Sequence, residues 1–434
     1  MPTNVSAAVQ ELAASIPLEE ARAHASRGRR PEPRPDVNAH IHLPPNFSAF
    51  ETVAQAVELA QAQGVAVLGC SNYYDFEVYG DFIREAAGRG VFPLFGMEVI
   101  ALDGGLERDG VRVNDPANPG RMYVCGKGLT QFAERSERAE ALLQAIARDD
   151  AERIASMIAM MEDIFRRQQM ATGLSHDGVV ERVVRRHGSP RHTVHLQERH
   201  VCQAFQEVFF EKVAPEHREA MLCAVYGDEP KADVTNAVAV QNELRSRLMK
   251  AGRPAYVAER FVAPAQAIEL VLELGGIPCY PVLADGVDPI CEFETPVERL
   301  IANLRAYGFH LAEFIPLRNT PAVLEAYVPA MRRAGIVVTA GTEHNSLDLV
   351  PLAPACVGGA AIPPAVQGIF WEGACVVAAH QLLTLHGEPG YVDAQGRLNP
   401  AWGDAEERIA AFRALGEAVL AVYFGKTKGA EARS

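Results

Sequence analysis

The sequence predicts an α/β barrel, interrupted by a helical insertion and followed by a helical C-terminal tail. Three observations carry this. From Val37, strand-like apolar runs alternate with amphipathic helical runs; the rhythm stops near Leu129; it resumes at Pro264. Such alternation implies a parallel sheet with crossover helices. A chain of 434 residues suggests two or three domains, but a barrel with insertions absorbs that length as one unit. The expected organisation is an arm and linker over 1–35, a first part of the barrel over 36–128 and a mainly helical insertion over 129–260. A second part of the barrel over 261–350 and a C-terminal extension over 351–434 complete it.

Ala7 to Ala25 reads as a short helical pattern, followed by Arg27, Arg29 and Arg30 and then Pro31, Pro33 and Pro35, an arm with a semi-rigid linker. Val37 to His42 is a strand. Phe50 to Gln63 has apolar residues at helical spacing and is ended by Gly64. Val65 to Cys70 is a buried strand, Phe82 to Gly90 a helix, and Val91 to Ile100 a strand broken by Gly96. Met122 to Cys125 is a further short strand. The next block is rich in Ala, Arg and Glu, with a long amphipathic helix from Asp149 to Met170 and another from Gln197 to Glu211. Pro264 suits the first turn of a helix that ends at Leu274 before Gly275 and Gly276. Strands then fall at Ile277 to Leu283, His310 to Pro316 and Ile336 to Ala340, with helices at Pro296 to Tyr307 and Pro321 to Ala334. After Asn345 the chain is Pro-rich to about Pro364, and a mixed helical tail finishes it.

Composition narrows the function. At 48% hydrophobic residues the chain can fill a large core, and a net charge of −14 argues against a broad nucleic-acid-binding face. The eight cysteines form no Cys-x-x-Cys pair and mostly sit in apolar runs, which suits a reducing cytoplasm better than a disulfide framework. There is no apolar leader core and no uninterrupted apolar run near the ~18 residues of a membrane span. The expected partner is a small molecule, with no nucleic acid and no membrane; a homo-oligomer stays open.

In parallel α/β folds, ligands bind at the C-terminal ends of strands. His40 and His42 stand at the first such end, and positions i and i+2 of a strand share a face. Two imidazoles would converge there, as ligands for a metal such as zinc, manganese or iron. Other strand ends add Tyr73, Glu98, Tyr280, Glu313, Glu343 and His344. Two histidines with carboxylates on one rim favour a metal site. Each residue also has a plainer reading. Glu98 could cap a turn, Glu313 could pair with Arg318, and His344 could bond a loop carbonyl. Glu343 makes the strongest case, because a carboxylate after an apolar strand is costly to leave unpaired. Lys127, in Cys-Gly-Lys-Gly, lacks the spacing of a phosphate-binding loop.

The order of these pieces over about residues 37–345 resembles the polymerase and histidinol phosphatase (PHP) family, whose members form a distorted (β/α)7 TIM-like barrel with metals at the strand ends. Asn38-Ala39-His40-Ile41-His42 is similar to its Asp-x-His-x-His opening, and Gly96-Met97-Glu98-Val99 to its Gly-Ile-Glu-Ile. Tyr123 to Gly126 resembles His-x-Leu-Gly, Arg199-His200-Val201 the Arg-Pro-His-Ile segment, and Gly275 to Pro281 the Gly-Gly-x-x-x-Ala-His-Pro segment. Gly341 to Asn345 stands where Gly-Ser-Asp-x-His is usual. The resemblance implies one well-supplied centre from His40, His42, Glu98 and Glu343, and a partial second from Glu98 and His200. Tyr73, Tyr123, Tyr280 and Asn345 occupy positions where the family carries further ligands, so a trinuclear site is not expected.

The implied activity is a metal-dependent hydrolase of PHP type, using a metal-activated water on a small polar substrate, a phosphate ester among the candidates. His200 or His344 would serve as general base or further ligand. Tyr73, Tyr123 and Tyr280 would line the pocket, and Arg318 would hold a phosphate or carboxylate. The rival is a degenerate barrel kept as a small-molecule binding or regulatory protein; a third reading is an isomerase or lyase.

Overall fold

A computed structural model describes residues 4–27 and 36–431. The anticipated linker residues Arg29, Arg30, Pro31, Pro33 and Pro35 lie outside the described residues. The N-terminal pattern forms two helices, α1 (Val5–Ser15) and α2 (Leu18–Ser26), parted at Pro17.

The barrel opens with β1 (Asp36–Ile41), α3 (Val53–Ala62), β2 (Val65–Cys70), α4 (Val78–Gly88), β3 (Phe92–Leu102), the short α5 (Gly104–Arg108) and β4 (Arg121–Lys127). Gly96 does not break β3. The insertion contributes α6 (Glu137–Arg167), α7 (His176–His187), α8 (Glu198–Lys212), α9 (Pro215–Tyr226) and α10 (Ala237–Leu244). The barrel resumes with α11 (Pro264–Glu273), β5 (Ile277–Val282), α12 (Val297–Tyr307), β6 (Leu311–Phe314), α13 (Pro321–Arg333) and β7 (Val337–Ala340). α14 (Pro364–Leu385) and α15 (Ala405–Glu431) form the tail.

The strands make a 7-stranded sheet in the order β1 to β7. β1, β2 and β3 are parallel neighbours, as are β5, β6 and β7. β4 runs antiparallel to both β3 and β5, which corrects the expectation of a wholly parallel sheet. Between β3 and β4 lies only the five-residue α5, too short a helix to carry the chain back along the 11-residue β3 as a parallel crossover would require. The barrel closes at its first and last strands. Thr342 and Glu343 donate backbone N–H groups to the His40 carbonyl at 3.0 and 2.8 Å, and His42 N–H donates to the Glu343 carbonyl at 2.9 Å. Gly341 permits this approach, since a Cβ there would lie 2.3 Å from His40 Cβ.

α14 is buried almost all round and packs on α15 and β7. It is long and apolar enough, by length and composition, to cross a membrane, yet 78% of its apolar window is buried inside the protein. The insertion gathers its own apolar cluster, including Met157, Phe165, Phe205 and Leu244, apart from the main core. α6 spans both: Leu142 and Leu143 belong to the main core, Ile154 to Phe165 to the second.

Candidate metal centre

Strand alternation sets the site. His40 Nδ1 lies 2.6 Å from Glu313 Oε1, both side chains being fully buried. The carboxylate accepts a hydrogen bond from Nδ1–H, so the Nε2 lone pair faces the barrel mouth. There it meets His42 Nε2 at 3.3 Å and Glu98 Oε2 at 3.5 Å. These three donor atoms all lie within 4.8 Å of one another, and all three residues are buried.

Each donor is held from behind. The Tyr73 hydroxyl donates to Glu98 Oε1. The Tyr73 ring also stacks on His42, with centroids 5.3 Å apart. Behind Glu313 stands Lys127, 2% exposed, with Nζ 2.7 Å from Glu313 Oε2, 2.9 Å from the Ala39 carbonyl and 3.1 Å from Ser71 Oγ. Burial alone would push the Glu313 carboxyl up; Lys127 and His40 outweigh it and hold it below its ordinary range.

The electrostatics favour a cation at the three donors. Burial, then the Glu343 charge, push the Glu98 carboxyl well above its usual range. Burial and the neighbouring His40 push His42 well below its usual range, and its Nδ1 has no hydrogen-bond partner among the described residues. Two imidazole nitrogens and a carboxylate oxygen crowded together repel one another until a proton or metal ion sits between them. Two histidines and a carboxylate suit a divalent transition metal, with room for further ligands. His40, Cys125 and Glu313 also lie close together, but the Lys127 ammonium already neutralises that corner.

Other anticipated residues are placed differently. Glu343 borders the group, but its carboxylate is gripped by Arg318 at 2.9 and 2.5 Å and by Asn345 at 2.7 Å. Arg318 therefore holds a protein carboxylate here, in place of the anticipated substrate anion, and it pairs with Glu343, not with Glu313. His200 is not brought to the centre. Its Nδ1 accepts the Gln197 N–H at 3.0 Å, its ring packs on Phe47, and burial pushes it down to about 3. His344 has both ring nitrogens engaged, with Thr342 Oγ1 and the Val350 carbonyl, each at 2.8 Å. Tyr280 points away from the pocket and donates to Glu294 at 2.9 Å. Its neighbour Cys279 feels Lys127 and Glu313 inside the barrel, so alternation turns Tyr280 outward.

A cavity of about 490 Å³ opens over Glu98 between the barrel rim and the insertion. Tyr73, Tyr123, Arg318, Glu343 and Asn345 line it from the barrel; residues of α6, α8 and the chain after α10 line it from the insertion. Tyr74, Ala284, Glu343 and His344, all on loops that follow strands, adopt left-handed backbone with φ of 58°, 45°, 63° and 55°. Non-glycine residues held so cost of order 1–3 kcal/mol each and cluster at ligand sites.

Sequence reasoning missed the buried role of Lys127, the Glu313–His40 pairing and the cationic wall of the insertion. Parity was the available signal for the first, since Lys127 shares a strand face with Tyr123 and Cys125.

No family model matches the chain, and no curated protein matches it. Among solved structures, an amidohydrolase from Chromobacterium violaceum with bound sulfate and no metal is similar at 18% identity and a TM-score of 0.48, over 77% of this chain and 96% of that one. A candidate metal-dependent phosphoesterase from Bifidobacterium adolescentis is similar at 15% identity and a TM-score of 0.49, over 78% of this chain and 95% of that one.

Proposed function

We propose that this chain is a metal-dependent hydrolase acting on a small polar substrate, with a phosphate ester as the leading candidate. The observation that carries the reading is the convergence of His40 Nε2, His42 Nε2 and Glu98 Oε2 below the cavity, with Glu313 fixing the His40 tautomer. Those three residues would hold one divalent cation, with Glu343 beside it. A bound cation of this kind lowers the pKa of a water and polarises the bond to be cut. Tyr73 orients Glu98, and Tyr123 offers a phenol to the substrate. His200 and His344 would be positioning residues only: His200 Nδ1 accepts the Gln197 N–H at the start of α8, and both His344 ring nitrogens are engaged on the loop after β7. Cytoplasmic residence belongs to the same proposal.

The test is metal content of the purified, folded protein, followed by titration with zinc and manganese. Uptake near one ion per chain is expected, lost in His40→Ala and in Glu98→Ala. Hydrolysis of phosphate esters should incorporate solvent oxygen and vanish with the metal. Unchanged uptake in both variants would sink the reading. The second reading, a binding or regulatory protein, draws on the Arg318–Glu343 pair, which ties up the fourth anticipated ligand. A full-length protein that takes up no metal yet binds a small molecule in the cavity would favour it.

A further inference from the structure

The insertion side of the cavity carries more positive charge than its own carboxylates neutralise. Glu198 serves three cations at once: Arg153 at 2.9 Å, Arg245 at 2.8 Å and Lys250 at 3.1 Å. Arg153 also reaches Glu259, which Arg121 shares at 2.5 Å before pairing with Asp115 at 3.2 Å. Arg199 lines the same wall and has no carboxylate partner among the described residues; its side chain makes one hydrogen bond, to Asn242 Oδ1 at 3.3 Å. Four insertion cations, Arg153, Arg199, Arg245 and Lys250, thus face the carboxylates of Glu198 and Glu259, while Arg121 and Asp115 of the barrel pair with each other at the edge. Asp150 redresses this only in part, because burial pushes its carboxyl up to about 7.

Two independent groups register the excess. Burial would raise the Glu198 carboxyl, but Arg245, Lys250 and Arg153 outweigh it and bring it down to about 2. Burial and the adjacent Arg245 push the Arg199 guanidinium down. A half-buried guanidinium beside a second one, both lining a cavity, is poorly placed without an anion. At the barrel side, Glu98 stands in the cavity floor with His40 and His42, where the proposed metal would sit. The cavity therefore presents two poles, a metal-binding one on the barrel and a cationic one on the insertion.

We propose that Arg199, Arg245 and Lys250 form an oxyanion-binding subsite for a substrate whose phosphate or carboxylate lies remote from the reacting bond. Its use as a substrate subsite rests on the hydrolase reading; the anion site itself does not. The insertion then selects the substrate, and the barrel supplies the reacting centre. Arg245 and Lys250 share a single carboxylate, so they retain free N–H groups to donate. Arg199 supplies the uncompensated charge.

The test uses the full-length protein stripped of metal, so that an anion cannot bind a cation at the barrel pole. Inorganic phosphate and succinate are titrated separately by calorimetry at low and high salt. At least one probe should bind, more weakly at high salt. Arg199→Gln should weaken that probe about tenfold or more, the scale of a charge-assisted bond. Lys250→Gln, at a side chain 46% exposed and so tolerant of change, should weaken it a few-fold. The stronger probe identifies the class of the remote group. Absence of binding by both probes, or equal affinity in wild type and Arg199→Gln, overturns the proposal. Metal uptake is measured on the same preparations: anion binding without metal uptake removes the hydrolase reading and leaves the anion site, whereas metal uptake without anion binding does the reverse.

Discussion

Glu313 decides what His40 can do. A neutral imidazole carries one N–H and one lone pair, and the carboxylate at Nδ1 fixes which nitrogen keeps which. Glu313 also answers the buried Lys127, so one carboxylate orients a ligand and neutralises an ammonium inside the barrel. Glu313→Gln keeps the shape and loses both. We expect metal affinity to fall about 10–100-fold, the usual cost of removing a partner behind a metal-binding histidine. Stability should fall by about 3 kcal/mol, because Lys127 is left as a buried unpaired charge. Zinc titration and denaturant unfolding measure the two; undiminished zinc affinity would show that His40 needs no such support. This arrangement also marks the reach of sequence reading. His40 and His42 were legible because they end a strand, where alternation and the barrel rule both apply; Glu98 reads as a strand end, yet β3 runs four residues past it, so alternation alone places it at the centre. The Glu313–Lys127 pair was not, because a buried ion pair is made by two strands whose mutual register a single sequence does not state. Tyr280 was misplaced for a related reason: a shift of one residue along a strand exchanges inside for outside.

At the scale of elements, most strands and helices were legible from periodicity; the strand Val65–Cys70 was read to its ends. The direction of β4 was not, since alternation is the same for parallel and antiparallel strands. The long helix α6 begins at Glu137, well before the anticipated Asp149, because its first turns pack on the barrel and so look less amphipathic on their own. His380 ties α14 to the turn before β5 and to the chain that follows the helix. His380 Nε2 donates to the Gly275 carbonyl at 3.0 Å, and its Nδ1 accepts the Tyr391 N–H at 2.9 Å. Only the neutral ring can do both. Burial, the larger effect, carries His380 from an ordinary 6.5 down to about 4. The unfolded chain therefore binds a proton that the folded protein refuses, and stability is lost as pH falls from about 6.5 toward 4. The loss between pH 7.5 and 5 is about 2 kcal/mol from this group, by the linkage of pKa to stability. His380→Gln should be less stable at pH 7.5 and show a correspondingly flatter decline to pH 5. Equal slopes for the two proteins in urea unfolding would mean that His380 does not carry the acid sensitivity.

At the scale of the whole molecule, the cavity depends on holding an insertion with its own apolar cluster at a set position over the barrel. Two features do this. The ion network through Arg153, Glu198, Glu259 and Arg121 crosses the cavity wall, and α6 runs through both clusters without a break. Exposed ion pairs contribute little, but Arg153 is only 7% exposed and acts at the join. The 31-residue helix is the stronger tie, since bending it breaks consecutive backbone hydrogen bonds. Wild type should therefore unfold in one transition. Trp371 lies in the main core and the half-buried Trp402 packs against it, so their fluorescence follows the barrel, whereas far-ultraviolet circular dichroism follows the helices of both parts. The two signals should coincide on heating. Arg148→Pro changes an exposed side chain between the two clusters and breaks α6, at about 3 kcal/mol for proline inside a helix. In that variant the dichroism should fall before the fluorescence, and the anion affinity of the insertion wall should drop even at temperatures where the barrel is intact. Separate transitions already present in the wild type would show that α6 does not bind the two clusters into one cooperative unit, and that the cavity between them is not held by the helix.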